Sequence, residues 1–211
     1  MRASLSRADA LLDSGQVEAA IAEYRVLLHQ DSLDPILLVS LSKAYVAQGN
    51  RKLADMYLQR GTNIPYERGL ASLKANNEMQ AKLAFEETVS LHHTHPLALN
   101  HLGEIHYRRG DVDSARAYYQ RSARGFGNFP ATHLRLGQFY LMQDMPDKAK
   151  QSFERTIELN INAFDAYMEL GKLHLDQEDW QAAIERFDTA LVINPRSSAA
   201  LAGRDEAQSK L

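Results

Sequence analysis

Gly69, Gly103, Gly137 and Gly171 recur at a constant interval of 34 residues. This interval constrains the chain more than any single motif does. Self-similarity at a period of roughly 20–50 residues marks an array of small stacked units. In such an array each unit buries its apolar face against its neighbours, so length alone does not count domains as it would for a globular chain.

The residues around the glycines show what the unit is. From Phe164 to Ser197, the residues Tyr167, Leu170, Gly171 and His174 lie three or four apart, on one stripe of a helix. Asp176 to Asp179 form a polar turn, and Ala183, Phe187, Ala190 and Ile193 make a second stripe. Asn194-Pro195 ends it, because proline cannot supply the next helical hydrogen bond. The same offsets hold Leu136, Gly137, Tyr140, Ala149, Phe153 and Leu159 in residues 130–163. In residues 96–129 they hold Leu99, Leu102, Gly103, His106, Ala115, Tyr119, Ala123 and Phe126. Glycine at the eighth position and alanine at the twentieth let two antiparallel helices approach closely, while an aromatic at the twenty-fourth fills the space beside them.

At these offsets the chain resembles the tetratricopeptide repeat family. Tyr167, Leu170-Gly171, Ala183, Phe187, Ala190 and Pro195 carry the family pattern, with His174 in place of its tyrosine. The resemblance implies an all-α fold: a right-handed superhelical solenoid of about six antiparallel helix pairs, closed by a C-terminal capping helix. As a single domain over 1–211, its units fall at about 1–34, 35–61, 62–95, 96–129, 130–163 and 164–197, with the capping helix over 198–211. Ser197 and Ser198 are suited to cap that last helix.

The N-terminal third is looser. Leu11, Gly15, Ala20, Ile21 and Tyr24 precede Asp34-Pro35, and Leu41, Ala44, Tyr45, Gly49-Asn50, Ala54 and Leu58 come after it at the same interval. The register then slips: Ser42 holds the eighth position of its unit, yet Gly69 comes only 27 residues later. About two helical turns are missing. The expected consequence is a shortened second helix ending near Gly61, a loop at Thr62-Asn63, and Pro65 in the first turn of the next helix.

Several function classes are disfavoured. A net charge of −3 and a pI near 6.2 do not suit a chain whose main task is gripping phosphates, so no nucleic-acid partner is expected. Without cysteine there is no disulfide, thiolate metal site or cysteine nucleophile. No run approaches the roughly 18 apolar residues of a membrane helix, so no direct membrane insertion is expected. No signal peptide is visible and the first residues already follow a helical pattern. That leaves a soluble protein of cytoplasm or periplasm, and also leaves open a piece of a longer chain.

His92, His93 and His95 are the one sequence cluster with metal-ligand residue types. Neighbouring helical side chains point about 100° apart, and zinc needs three or four converging ligands, so neither metal nor cofactor is expected. His106, His133 and His174 occupy aromatic positions of the repeat and are expected to be packing residues. No phosphate-binding loop or nucleophile elbow is present, hence no catalytic residue and no enzyme activity for this chain alone.

The resemblance further implies that the first helix of each pair lines a concave groove. Its outward positions map to Lys43, Tyr66, Asn100, Glu104, Tyr107, Leu134, Gln138, Leu141, Asp165, Met168 and Lys172, with Arg135 and Met142 beside the stripe. The candidate partner-binding residues are Tyr66, Asn100, Glu104, Tyr107, Arg135, Gln138, Met142, Met168 and Lys172. Leu134, Leu141 and Met168 are equally suited to packing between helices. The carboxylate clamp of chaperone-binding members is absent: Leu5 and Asp9 stand where it begins, and Glu104 follows Asn100 by four residues. The implied role is a non-enzymatic scaffold or adaptor, monomeric by preference. It would bind a peptide or helix of a protein partner in assembly or secretion of a larger complex. The alternative is a docking or regulatory module of a longer enzyme, such as a transferase.

Overall fold

The computed structural model describes residues 2–125 and 129–211, so Phe126 lies outside the described residues. Twelve α-helices, and no strand, occur among them. In the first half these are α1 (Arg2–Asp13), α2 (Val17–Gln30), α3 (Pro35–Ala47), α4 (Arg51–Lys74) and α5 (Glu78–Leu91), with α6 (Pro96–Arg108) after them. The second half holds α7 (Val112–Gly125), α8 (Pro130–Met142), α9 (Pro146–Leu159), α10 (Phe164–Asp176), α11 (Trp180–Ile193) and α12 (Ser198–Gln208). The chain divides into two compact units, Met1–Ile105 and His106–Leu211, and the division falls within α6. Within the N-terminal unit α1 through α5 pack consecutively, and within the C-terminal unit α7 through α12 do the same.

Glycine at the eighth position of a unit is a packing requirement. A methyl group on Gly69 would lie 2.5 Å from the Phe85 ring, one on Gly137 2.5 Å from Phe153, and one on Gly171 2.7 Å from Phe187. Each aromatic is fully buried, as is the alanine four residues before it: Ala81, Ala149 and Ala183. The first two units use small residues to the same end. Ala8 is buried, and Ser42 fits beneath α4 by donating its hydroxyl to the Ala54 carbonyl at 2.7 Å.

The turns between the paired helices share one closure. Gly15, Gly49, Asn76, Gly110, Asp144 and Glu178 all have φ between +54° and +83°, the left-handed conformation that ends a helix. The amide after each donates to the carbonyl five residues back: Gln16 to Leu11, Asn50 to Tyr45, Asn77 to Ser72, Asp111 to His106, Met145 to Tyr140 and Asp179 to His174, at 2.8–3.0 Å. Asp34 opens α3 by accepting from the amides of Ile36 (2.8 Å) and Leu37 (3.1 Å), with Pro35 pre-set for the first turn. Ser197 opens α12 by accepting from Ala200 at 3.2 Å.

The loop expected at Thr62-Asn63 is not there. α4 is one helix of 24 residues that runs through Gly61, Thr62 and Pro65, serving α3 with its first half and α5 with its second. The deletion has removed the turn between two helices and fused them. Gly61 is a packing glycine, since a methyl group there would lie 2.9 Å from Val39 Cγ2 and 3.0 Å from the Pro35 carbonyl. Pro65 is buried inside the helix, where proline costs about 3 kcal/mol; burial of its own ring and of the adjacent Tyr66 works against that cost. Thr62 turns its hydroxyl onto the carbonyls of Leu58 (2.9 Å) and Gln59 (3.3 Å).

Two substitutions test these assignments by urea denaturation. Gly171→Ala drives a methyl into Phe187; overpacking of about 1–3 kcal/mol exceeds the helix-propensity gain of up to about 1 kcal/mol, so net destabilisation is expected. Glu178→Gly relieves a left-handed residue with no short polar side chain to support it and is expected to stabilise by about 1 kcal/mol. Unchanged midpoints would contradict both.

Candidate partner-binding surface

The first-helix positions split into two groups by burial. In the N-terminal unit Tyr66 is 9% exposed and Asn100 8% exposed, so neither faces an open groove. Tyr66 sits under a cluster of rings, with centroids 5.8 Å from Phe85, 5.1 Å from His95 and 6.1 Å from His101. Fusion of two helices into α4 brings it there, and burial raises its phenol pKa. Of its two expected settings Met168 takes the packed one: at 6% exposure it belongs to the core with Tyr167, Ile184, Phe187 and Ala200. Glu104 is half-buried and Lys43 exposed.

Tyr107 is half-buried, its ring edge-on to Phe139 at 5.9 Å, and so contributes mainly packing. Leu134 and Leu141 pack against the cluster around Phe153 and Leu170. Arg135, Met142 and Lys172 remain exposed and Gln138 is half-exposed. Arg135 donates to the Gln138 side-chain carbonyl at 3.3 Å, and the Lys172 ammonium lies 3.6 Å from Glu169. Since Leu134, Gln138 and Met142 are four residues apart on α8, they share one flank of that helix. A cleft of about 430 Å³ opens beside Leu134, walled by Phe129, Pro130 and Phe164 and edged by Asn160, Asn162 and Asp165. The first-helix stripe reached Leu134 and Asp165 of this cleft but missed its other walls, because Phe129, Asn160 and Asn162 come from the segments before α8 and α10.

His95, His106 and His174 sit where helices start or end. His106 Nδ1 lies 2.9 Å from Asp111 Oδ2, while Asp111 Oδ1 accepts the Ser114 amide at 3.1 Å and so opens α7. The Ser114 side chain first, then His106 and the Ser114 amide, hold the Asp111 carboxyl down at about 2. His174 is buried and its pKa lowered, by desolvation first and by Lys150 next; its Nδ1 is 3.4 Å from Asp179 Oδ2 but poorly aligned for a hydrogen bond. His95 opens α6, its Nδ1 accepting the Ala98 amide at 3.2 Å. Burial, and then His92 beside it, push its pKa down from 6.5 to about 4. Among the described residues no three His, Asp or Glu side chains are placed to hold a metal ion, and no helix is long and apolar enough to cross a membrane.

Consecutive helix pairs closed by glycine–aromatic contacts, with polar and charged residues left outward on the first helices, define a helical-repeat protein. The tetratricopeptide repeat family profile matches residues 1–35, 66–130 and 134–201, and the chain belongs to that family. Residues 36–65, which hold α3 and the first half of the fused helix, fall outside the match. Three solved structures have similar folds. The APC/C hetero-tetramer Cut9-Hcn1 aligns over 97% of this chain and 42% of that chain, at 17% identity and a TM-score of 0.61. YrrB, a repeat protein of this family with an unusual peptide-binding site, aligns over 96% and 90%, at 21% identity and a TM-score of 0.52. The first repeat domain of Spaghetti (RPAP3), bound to the HSP90 peptide SRMEEVD, aligns over 54% and 90%, at 17% identity and a TM-score of 0.51. The chain thus spans under half the length of the Cut9-Hcn1 chain it matches. No curated protein sequence matches it.

Because His95 binds a proton less readily folded than unfolded, the stability it confers is complete above its ordinary value of 6.5 and is lost as pH falls toward about 4. His92 and His174, also lowered, add to the same trend. Urea denaturation between pH 7 and 4.5 should show falling stability in the native chain and a shallower slope in His95→Asn, whose amide oxygen can still open α6. An identical slope in both would remove His95 from the account.

Proposed function

We propose that the chain is a non-enzymatic interaction module that holds a peptide or helical segment of a partner protein against α8 and α10 of its C-terminal unit. The observation that carries the reading is the set Arg135, Gln138, Met142 and Lys172, left outward on α8 and α10, together with the Phe129–Leu134–Phe164 cleft at the amino ends of the same two helices. An apolar cleft gives an anchor side chain somewhere to go, while flanking amides and charges of both signs fix register. Family membership supports a protein partner, as do the peptide-binding site of YrrB and the HSP90 peptide bound to the Spaghetti domain. The place of a similar chain in the Cut9-Hcn1 hetero-tetramer supports a role in assembling a larger complex.

The test is affinity capture from the native cell extract, read by mass spectrometry, with the native chain and with Arg135→Ala/Met142→Ala/Lys172→Ala. All three residues are exposed, so helicity by circular dichroism should not change. Recovery of the partner is expected to fall at least tenfold. Undiminished recovery would sink the assignment of this surface.

A further inference from the structure

The second helices of the N-terminal unit hold a charged feature that the partner-binding surface on α8 and α10 does not use. A cleft of about 370 Å³ is lined by Arg25, Leu28, His29, Ser32, Tyr57 and Arg60. Arg25 and His29 lie one turn apart on α2, and Tyr57 and Arg60 come from α4. No carboxylate is among the lining residues. Each guanidinium is instead held by a neutral oxygen: Arg25 Nη2 donates to the Tyr45 hydroxyl at 2.6 Å, and Arg60 Nη2 to the Ser32 carbonyl at 2.9 Å. The Arg25 guanidinium also lies 5.9 Å from the centre of the Tyr45 ring, which stacks on Tyr57 at 5.5 Å.

We propose that this cleft binds the phosphate group of a phosphorylated peptide. A guanidinium carries five N–H donors in a planar fork; with one spent on a neutral oxygen, each keeps donors for a paired contact with a phosphate. Two fixed positive charges match a phosphomonoester, which carries about −1.5 to −2 at pH 7. The carboxyl end of α2 opposes an anion, but with only about half an elementary charge, less than the two it faces. Leu28 and Tyr57 offer an apolar wall for the residue next to the phosphate. The occupant is a peptide rather than a polyanion because the chain as a whole carries −3, which repels nucleic acid and anionic bilayers while a local pair of arginines still holds one phosphate. Arg25 and Arg60 belong to the N-terminal unit, so phosphate binding there does not depend on the α8–α10 surface.

The experiment is calorimetric titration with Gly-Gly-phosphoSer-Gly-Gly, its unphosphorylated form and inorganic phosphate. The phosphopeptide should bind at least tenfold more tightly than the unphosphorylated form and more tightly than inorganic phosphate. In Arg25→Met/Arg60→Met that preference should disappear. Arg25→Lys/Arg60→Lys, which keeps charge without the fork, should fall in between. Should the methionine variant fail to fold, the native chain still decides: the His29 ring resonances must shift on titration with the phosphopeptide. Equal affinity for both peptides overturns the proposal, as does undiminished binding by the methionine variant. So does binding of inorganic phosphate with no gain from the peptide, an adventitious ion only. Tighter binding of single-stranded DNA or of phosphatidylserine vesicles, lost in the same variant, would overturn the peptide in favour of that polyanion.

Discussion

One contact organises the array: a phenylalanine ring laid against a glycine on the facing helix. Where the ring lies within 2.5–2.7 Å of an absent methyl, as at Gly69, Gly137 and Gly171, no other residue fits without movement of one helix. The separation of the pair is thereby fixed, and the alanine four residues before each ring closes the rest of the gap. The ring can also join one helix pair to its successor. Phe187 faces Gly171 on α10 and Gly203 on α12, where a methyl group would again lie 2.5 Å away. A single side chain there sets both the spacing within a pair and the seating of the next helix.

Much of this was legible in the sequence because the requirement is steric and local. Glycine at the eighth position, alanine at the twentieth and an aromatic at the twenty-fourth give a consistent register from Gly69 onward, and Ala8, Ala20 and Tyr24, then Ser42 and Ala54, keep it more loosely before the slip. The left-handed turn residues keep the same spacing, but only Gly15, Gly49 and Gly110 announce themselves; Asn76, Asp144 and Glu178 are placed there by the helices on either side. The fused helix was not legible for the opposite reason. Gly61 and Pro65 read locally as a stop and a start, whereas the contact of Gly61 with Pro35, Leu38 and Val39 is long-range. Tertiary packing outweighs two unfavourable local signals once the turn between them has been deleted.

The candidate partner-binding surface was less legible than the fold because outward positions depend on what covers them. A rule that counts positions within a unit treats all units as having equal neighbours. Tyr66 breaks it because α4 is continuous and His95 closes over the ring. Met168 breaks it by joining the core that α12 completes. On α8 the rule distinguishes more poorly still, since Leu134 and Leu141 turn inward while Met142 stays out. Arg25 and Arg60 were passed over for a related reason: charges on second helices read as solvated faces, and only their neutral partners distinguish them.

The units also differ in how firmly their helices are opened. The second helix of a pair starts at Asn50, Asn77, Asp111 or Asp179 with a side-chain oxygen accepting a backbone amide. In two of these pairs, a histidine five residues earlier lies beside the capping aspartate, tying the end of one helix to the start of the next. The pair α8 and α9 has neither device. Phe129 and Met145 stand at their starts with no side-chain bond, leaving only Pro130 and Pro146 to set the first turns. A missing cap costs about 1 kcal/mol, and regions with fewer such closures open first. The pair that carries Arg135, Gln138 and Met142 thus lacks a side-chain cap at both helix starts, as α2 does at Gln16 and α10 at Ala163. Beneath those exposed side chains the glycine–aromatic contact of Gly137 against Phe153 keeps the two helices together, so proline-set first turns and this one close approach, rather than caps, define the pair.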